Sequence, residues 1–417
     1  MDSGNGIFPE EVVLQILARL PVKPLFRFKS VCKIWYRLVS DKYFVQLYNN
    51  VSVDNPMVLV ELLRSFNAQP SYVCVDRMRG VSEFSLDFLK DRVKVKASCN
   101  GLLCCASIPD KGVYYVCNPM TRDYRLLPRT RERPMTRFHP DNEATLVGLA
   151  YDLVNQKFKV VLAGFYRPFG RRPLDSFICL VYDSDSNAWT RSLSSQTEEF
   201  THMNRNQVVY ANGLLHWLTY SCLYILAFDL NSLEWRKIPL PNKMVDGAGR
   251  RLHLLELEGS VSVIQISDAW MTMWVLEDLE GEKWREADRV SLKCIRGMVP
   301  SVFPISQNSE FIFLATQRQI LVYHRRSGVW KEMYFVKNIS SYPLWFSAHA
   351  FRGTIVPCHP GVGCAAGSGS VPHASVIVLK SQFYYLWRLR EENKNKEGER
   401  GRESEYGLGD GRDESKG

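Results

Sequence analysis

No run of apolar residues in this sequence approaches the roughly 18 to 20 needed to span a bilayer. The N-terminus, "MDSGNGIFPEEVV", lacks the basic segment and unbroken apolar stretch of a secretory signal, and its early Asp2, Glu10 and Glu11 are foreign to a mitochondrial presequence. Metal and nucleophile signatures are missing too. The eight histidines form no HxH or HExxH pair, the eleven cysteines form no CxxC, and there is no GxSxG elbow. "GVGCAAGSGS" has glycines but neither the GKS/T nor the strand-to-helix context of a phosphate loop. No catalytic, cofactor-binding or metal residue is therefore assigned, and no cofactor is expected.

A concentrated basic arm is also absent. The net charge of +9 divides into +3 over residues 1–50, −1 over residues 388–417 and +7 over the rest, which argues against nucleic acid as a partner. No membrane partner is expected. Cys99, Cys104, Cys105 and Cys117 lie in strand-like text and read as reduced, buried thiols, so the expected location is the cytoplasm and/or the nucleus.

One stretch lacks acid altogether. "RLPVKPLFRFKSVCKIWYRLV", residues 19–39, carries six basic side chains interleaved with large apolar ones. Just upstream, Pro9 suits a first helical turn and Glu10 and Glu11 suit the positive end of its dipole. Val13, Ile16, Leu17 and Leu20 then repeat at helical spacing until Pro21 stops the run. A second helix is expected after Pro24 on Leu25, Phe28, Val31, Cys32 and Trp35, and a third after Ser40 on Phe44, Leu47 and Tyr48. Three such short helices have more apolar surface than they can bury among themselves. The surplus reads either as a docking surface for a partner or as a lead-in packed on the rest of the chain.

The run Phe8-Pro9-Glu10, Ile16-Leu17, Arg19-Leu20-Pro21-Val22-Lys23, Leu25, Arg27-Phe28-Lys29-Ser30-Val31-Cys32-Lys33, Trp35 and Leu38 resembles an F-box of the plant type. Phe8 stands where a Leu usually precedes the first Pro. The resemblance implies docking on Skp1, the adaptor that links to a cullin scaffold in a ubiquitin ligase. It implies Phe8, Pro9, Ile16, Leu17, Leu20, Pro21, Leu25, Val31, Cys32 and Trp35 as the Skp1-binding set.

From about residue 57 helical spacing gives way to short β-rich runs punctuated by Gly, Asn, Asp and Pro. One phrase recurs: an apolar strand, a polar turn, then an aromatic residue in a polar strand. It is clear in "YYVCNPMTRDYRLLP", "CLVYDSDSNAWTRSL", "LAFDLNSLEWRKIPLP", "WVLEDLEGEKWREAD" and "LVYHRRSGVWKEMYF". The anchors Tyr124, Trp189, Trp235, Trp284 and Trp330 stand 65, 46, 49 and 46 residues apart, and a weaker copy with Phe84 precedes them. Such a period with four strands per unit suits a β-propeller of six blades better than an open stack or paired sandwiches. The anchors read as packing between blades. "SCNGLLCCAS" and "YANGLLHWL" carry Asn-Gly hairpin signals, and "LWFSAHAFRGTIVPC" is a plausible strand to close the ring on the first unit.

An F-box followed by this repeat resembles the plant F-box-associated (FBA) interaction domain, itself similar to kelch propellers, although the double glycine of true kelch repeats is missing. The expected fold is α+β and multidomain. A three-helix F-box occupies residues 1–50 and a propeller residues 57–357. A Gly/Ser-rich and then charged tail, residues 358–417, is expected to be disordered. The resemblance implies a substrate receptor that captures an unknown target protein for ubiquitination by other subunits. The alternatives are a Skp1-binding module acting outside a ligase, and a propeller enzyme. Strand parity places the two insertions in the long gap, residues 129–143 and 165–176, on one face. Their Arg131, Arg133, Arg137, Phe138, Tyr166, Arg167, Phe169, Arg171 and Arg172 are the expected target-binding residues, since arginine and aromatics are enriched at hot spots.

Overall fold

The computed structural model describes residues 10–29, 33–52, 56–63, 70–109, 111–130, 132, 134–135, 146–166, 177–194, 203–219, 221–245, 251–316, 318–335 and 345–359. Described residues from Gln15 to His359 fall in one compact unit, and Glu10–Leu14 in another. Four short helices come first: α1 (Glu10–Ala18), α2 (Val22–Lys29), α3 (Lys33–Ser40) and α4 (Lys42–Ser52). The single helix expected after Pro24 is thus two segments on either side of residues 30–32, and it begins earlier, at Val22. Pro24 fits inside α2 because the first turn of a helix has no intrahelical partner for its N–H groups to lose. Asp41, not Ser40, caps α4, its Oδ1 accepting the Tyr43 N–H at 2.8 Å.

Twenty-five strands follow among the described residues. Blade I is β1 (Met57–Leu63), β2 (Ser71–Asp76) and β3 (Gly80–Phe84), completed by the final strand β25 (Trp345–Phe351) in the order β25-β1-β2-β3. Blade II is β4 (Val93–Cys99), β5 (Leu102–Ser107), β6 (Tyr114–Asn118) and β7 (Asp123–Leu126). Blade III is β9 (Leu146–Asp152), β10 (Lys157–Tyr166), β11 (Phe177–Asp183) and β12 (Ala188–Ser194), with a two-residue extra strand β8 (Pro134–Met135) on β10. Blade IV is β13 (Met203–Ala211), β14 (Leu214–Thr219), β15 (Tyr224–Asp229) and β16 (Trp235–Pro239). Blade V is β17 (Arg251–Leu257), β18 (Ser260–Ile266), β19 (Trp270–Asp278) and β20 (Lys283–Ser291). Blade VI is β21 (Phe303–Gln307), β22 (Phe311–Ala315), β23 (Gln319–His324) and β24 (Val329–Phe335).

The first strands of neighbouring blades adjoin in the cycle β25, β4, β9, β13, β17, β21 and back to β25, which makes the six sheets a closed ring. Its closing strand is the one expected from "LWFSAHAF": β25 pairs antiparallel with β1 from Met57↔Phe351 to Leu63↔Trp345. Apolar clusters fill the gaps between blades, as with Val161, Phe165 and Phe177 of blade III against Leu215, Trp217 and Phe228 of blade IV.

Each aromatic anchor lies in the outer strand, and a shared turn chemistry puts it there. The third strand ends in a residue whose side chain accepts a backbone N–H of the turn, the Asx device of tight turns. Asp76 accepts from Met78 at 2.8 Å, Asn118 from Met120 at 3.0 Å, Asp183 from Asp185 at 2.7 Å, Asp229 from Asn231 at 2.7 Å and Asp278 from Glu280 at 3.0 Å. His324 Nδ1 takes that place in blade VI, accepting from Ser327 N–H at 3.2 Å. Four residues beyond each sits a left-handed residue: Gly80, Arg122, Asn187, Leu233, Glu282 and Gly328. In blades II to VI the anchor follows two residues later. Trp235 packs 6.0 Å from Phe177 of the preceding blade and 4.7 Å from Phe228 of its own. Trp189 and Trp284 also donate their indole N–H to Pro128 O at 2.7 Å and Pro239 O at 3.1 Å, each at the end of the preceding blade. The anchors are mortar between blades.

His216, on β14, is fully buried. Burial pushes its pKa down to about 4, against a weaker opposing pull from the backbone of Val209 and Leu214. The folded pKa lies below the unfolded value of 6.5, so the unfolded chain binds the extra proton first and stability falls as pH drops from 6.5 through 4. The expected loss is about 3 kcal/mol across that window. Urea unfolding at stepped pH should show it, and His216→Gln should reduce the slope in that window, leaving the part due to His253, whose pKa burial also lowers to about 4.

Candidate functional site

In each antiparallel blade the turns after the first and third strands emerge on one face, and the connections into the first strand and between second and third emerge on the other. Helices α2 and α4 sit on the first of these faces. Gln46 of α4 donates to Val154 O at 3.2 Å, in the turn between β9 and β10. The segment after β25 does the rest. Asn118 Nδ2, in the turn region of blade II, donates to Thr354 O at 3.0 Å and Val356 O at 2.9 Å, and Thr354 Oγ1 reaches Asn49 Oδ1 of α4 at 3.4 Å. Arg352 bonds Asn100 Oδ1, in the β4–β5 turn. Gly353 lies against Val22 of α2 and Met57 of β1, where an added Cβ would stand 3.4 and 3.5 Å from their side chains.

The clamp extends one step past the expected propeller boundary. Cys358, placed by the sequence reading in the disordered tail, is fully buried, and its N–H donates to Asp123 Oδ2 at 2.8 Å. Its thiol is held well above the ordinary range, first by burial and then by Asp123. The carboxylate partner on β7, far away in sequence, is what folds the segment back. The rest of the tail lies outside the described residues.

The expected Skp1-binding residues divide into three groups. Phe8, Pro9, Val31 and Cys32 lie outside the described residues. Leu17, Leu25 and Trp35 are 1%, 0% and 3% exposed, so their side chains serve the chain's own core and not an open surface. Trp35 stacks on Phe28 at 5.5 Å, and Leu25 N–H bonds Pro21 O at 3.1 Å. Ile16, Leu20 and Pro21 are half-buried and keep accessible apolar surface. They cluster where α1 ends, and Tyr48 of α4 fixes that corner by donating its hydroxyl to Leu20 O at 2.9 Å. Exposed Tyr36 and Tyr43 on neighbouring helices were not singled out from the sequence.

On the opposite face, β8 lies along the end of β10, with Met135↔Phe165 and Pro134↔Tyr166. This backbone pairing brings part of the first insertion beside the start of the second. Two further contacts hold the first: Pro128 O accepts from Trp189, and Glu132 forms an ion pair with Arg191 at 2.6 Å. The Tyr166 backbone ends β10. Arg131, Arg133, Arg137, Phe138, Arg167, Phe169, Arg171 and Arg172 lie outside the described residues.

The thiols read as core are core. Cys99, Cys104, Cys105 and Cys117 are buried and free, and burial pushes Cys99 up to about 12, which keeps that thiol protonated at neutral pH. Among the described residues no group of three or more His, Cys, Asp or Glu could hold a metal ion, and no helix is long and apolar enough to cross a membrane.

Comparison with known families agrees with this architecture. The F-box domain family matches residues 7–47, and the F-box associated beta propeller domain family matches residues 58–325. An F-box protein of Arabidopsis thaliana is 60% identical over 363 residues, covering 86% of this chain and 100% of the relative. An F-box/kelch-repeat protein of the same plant is 26% identical over 309 residues, covering 67% of this chain and 68% of that one. Among solved structures, a chain of a nidogen/laminin complex aligns at 10% identity with a TM-score of 0.38, covering 71% of this chain and 99% of that one.

Gly101 tests the clamp. It has φ +80°, and an added Cβ would stand 2.6 Å from Arg352 O. Gly101→Ala is expected to cost about 2 kcal/mol through backbone strain and crowding, read as a lowered midpoint in urea unfolding.

Proposed function

The chain belongs to the F-box proteins that carry an F-box associated β-propeller, and from that membership we propose that it is the substrate-recognition subunit of an SCF-type ubiquitin ligase. The F-box binds a Skp1-like adaptor and, through it, a cullin. The propeller holds the target protein, and catalysis belongs to the other subunits. The observation that carries this reading is the arrangement of the two faces: the F-box is clamped to one, while the longest insertions leave from the other. An adaptor and a target then do not compete for space.

We assign adaptor docking to the accessible apolar corner of Ile16, Leu20 and Pro21 together with the flanking F-box residues. Target capture is assigned to the two insertions, whose arginines suit an acidic segment of the target. The free buried thiols suit a reducing compartment, the cytoplasm and/or the nucleus.

The test is co-purification with Skp1 and a cullin. Removing central anchors of an apolar docking patch costs on the order of 2 kcal/mol or more, so Leu20→Ala with Pro21→Ala should release both proteins while the propeller keeps its thermal transition. Capture at wild-type strength would refute the docking assignment. Skp1 recovered without cullin would favour a binding module outside a ligase. Charge reversal at Arg131, Arg133, Arg171 and Arg172 should reduce target recovery and leave Skp1 recovery unchanged.

A further inference from the structure

A cavity of about 530 Å³ opens between blades II and III. Most of its wall comes from connections on the face away from the F-box. Lys90 and Asp91 lie in the connection that enters β4, Val113 stands just before β6, and Leu127 and Arg129 follow β7. Val113, Leu127 and the ring of Tyr115, all buried, provide an apolar floor. Leu126 beside it is 49% exposed, an apolar side chain left at the mouth.

The charges around this cavity are arranged unevenly. The Asp91 carboxylate is already held, accepting the Tyr115 hydroxyl at 2.6 Å. Asn187 likewise uses its Oδ1 to accept the Tyr182 hydroxyl at 2.7 Å. Lys90 and Arg129 are exposed and form no hydrogen bond or ion pair with any described residue. Elsewhere on this surface exposed arginines do find acids, as Arg122 does with Asp87 and Arg285 with Glu277. Two unpartnered cations therefore flank an apolar floor, with one engaged carboxylate in the wall.

We propose that this cavity receives a carboxylate side chain of the target, with an adjacent apolar residue seated on Val113 and Leu127. The proposal rests on the reading of the propeller as the target-holding domain. Charge selects the ligand: two cations against one wall carboxylate leave a surplus of one positive charge, which a single carboxylate balances. A phosphate would bring close to two negative charges next to the fixed Asp91 and overshoot. The apolar floor selects the neighbour, because a polar residue there would lose water without gaining a partner.

The probe is an array of nine-residue peptides whose central residue is Asp, Asn or phosphoserine and whose flanking residues are Leu or Ser, incubated with the full chain. Charge-assisted hydrogen bonds predict about tenfold tighter binding of Asp-Leu peptides than of Asn-Leu peptides. Lys90→Gln with Arg129→Gln should erase that ratio. Leu126→Ser should reduce the Leu preference and keep the Asp preference. Equal binding of Asp and Asn, a ratio that survives in the double variant, or phosphoserine bound more tightly than Asp would overturn the proposal. Skp1 capture by the same preparations separates the two readings. Its loss in the unaltered chain counts against the ligase reading alone, and its retention without peptide selectivity counts against the cavity alone.

Discussion

The ring depends on covering one strand edge. Without β25, β1 would present its backbone N–H and C=O groups to water along its whole length, an invitation to pair with another chain. The cover comes from the far end of the propeller, so closure requires all six blades to be in place before the last strand can dock. That is an expensive contact in loop entropy and a slow one to form. Once made, it ties blade VI to blade I and removes the edge. Its interior is polar at one point: Glu61 of β1 is buried, accepts from Tyr72 at 3.3 Å and faces His349 of β25 at 3.7 Å. A buried acid needs such partners, because burying it alone would be strongly unfavourable.

The same strand controls the placement of the F-box. Phe351 ends β25, and Arg352, Gly353 and Thr354 follow at once into contacts with blade II, α2 and α4. A chain end that serves only to close a ring could stop at Phe351. Here it continues inward, with Thr354, Val356 and Cys358 all fully buried. The clamp is therefore coupled to closure: a propeller that has not received its last strand lacks the contacts of Gly353 and Thr354 with α2 and α4.

Much of this was legible because it is local. The repeat could be read from anchors at a near-constant spacing, and the turn that produces it is written in five consecutive residues, an acceptor at the strand end and a left-handed position four residues on. Loop faces followed from strand parity alone. What could not be read depends on long-range contact. Helical spacing shows that Leu17, Leu25 and Trp35 lie on apolar faces, but nothing in periodicity says whether such a face meets a partner or its own chain. Cys358 has no period to betray it. Its position is decided by Asp123, more than two hundred residues earlier. The true start of α2, at Val22, is hidden because Pro24 suggests a boundary, although a first helical turn accommodates proline.

The clamp also decides how a target would be presented. A flexible tether between two domains lets the second sample many orientations, and a bound target would sweep a volume. Here the direct covalent link between α4 and β1 is short, and the noncovalent ties run elsewhere: through Gln46 to blade III, through Asn49 to Thr354, and through Val22 to Gly353. These contacts arise from two helices and reach two separate elements, the β9–β10 turn and the segment after β25, so a hinge at the covalent link alone cannot move one part without breaking them. Asn118 supplies the decisive pair, since its single amide satisfies two carbonyls of the clamp from a fully buried position. Breaking them would leave unsatisfied groups inside the protein, a cost of about 1–3 kcal/mol for each. The orientation of the far face relative to the F-box is thus set by burial, and a ligand held there would stand in one direction from whatever the F-box holds.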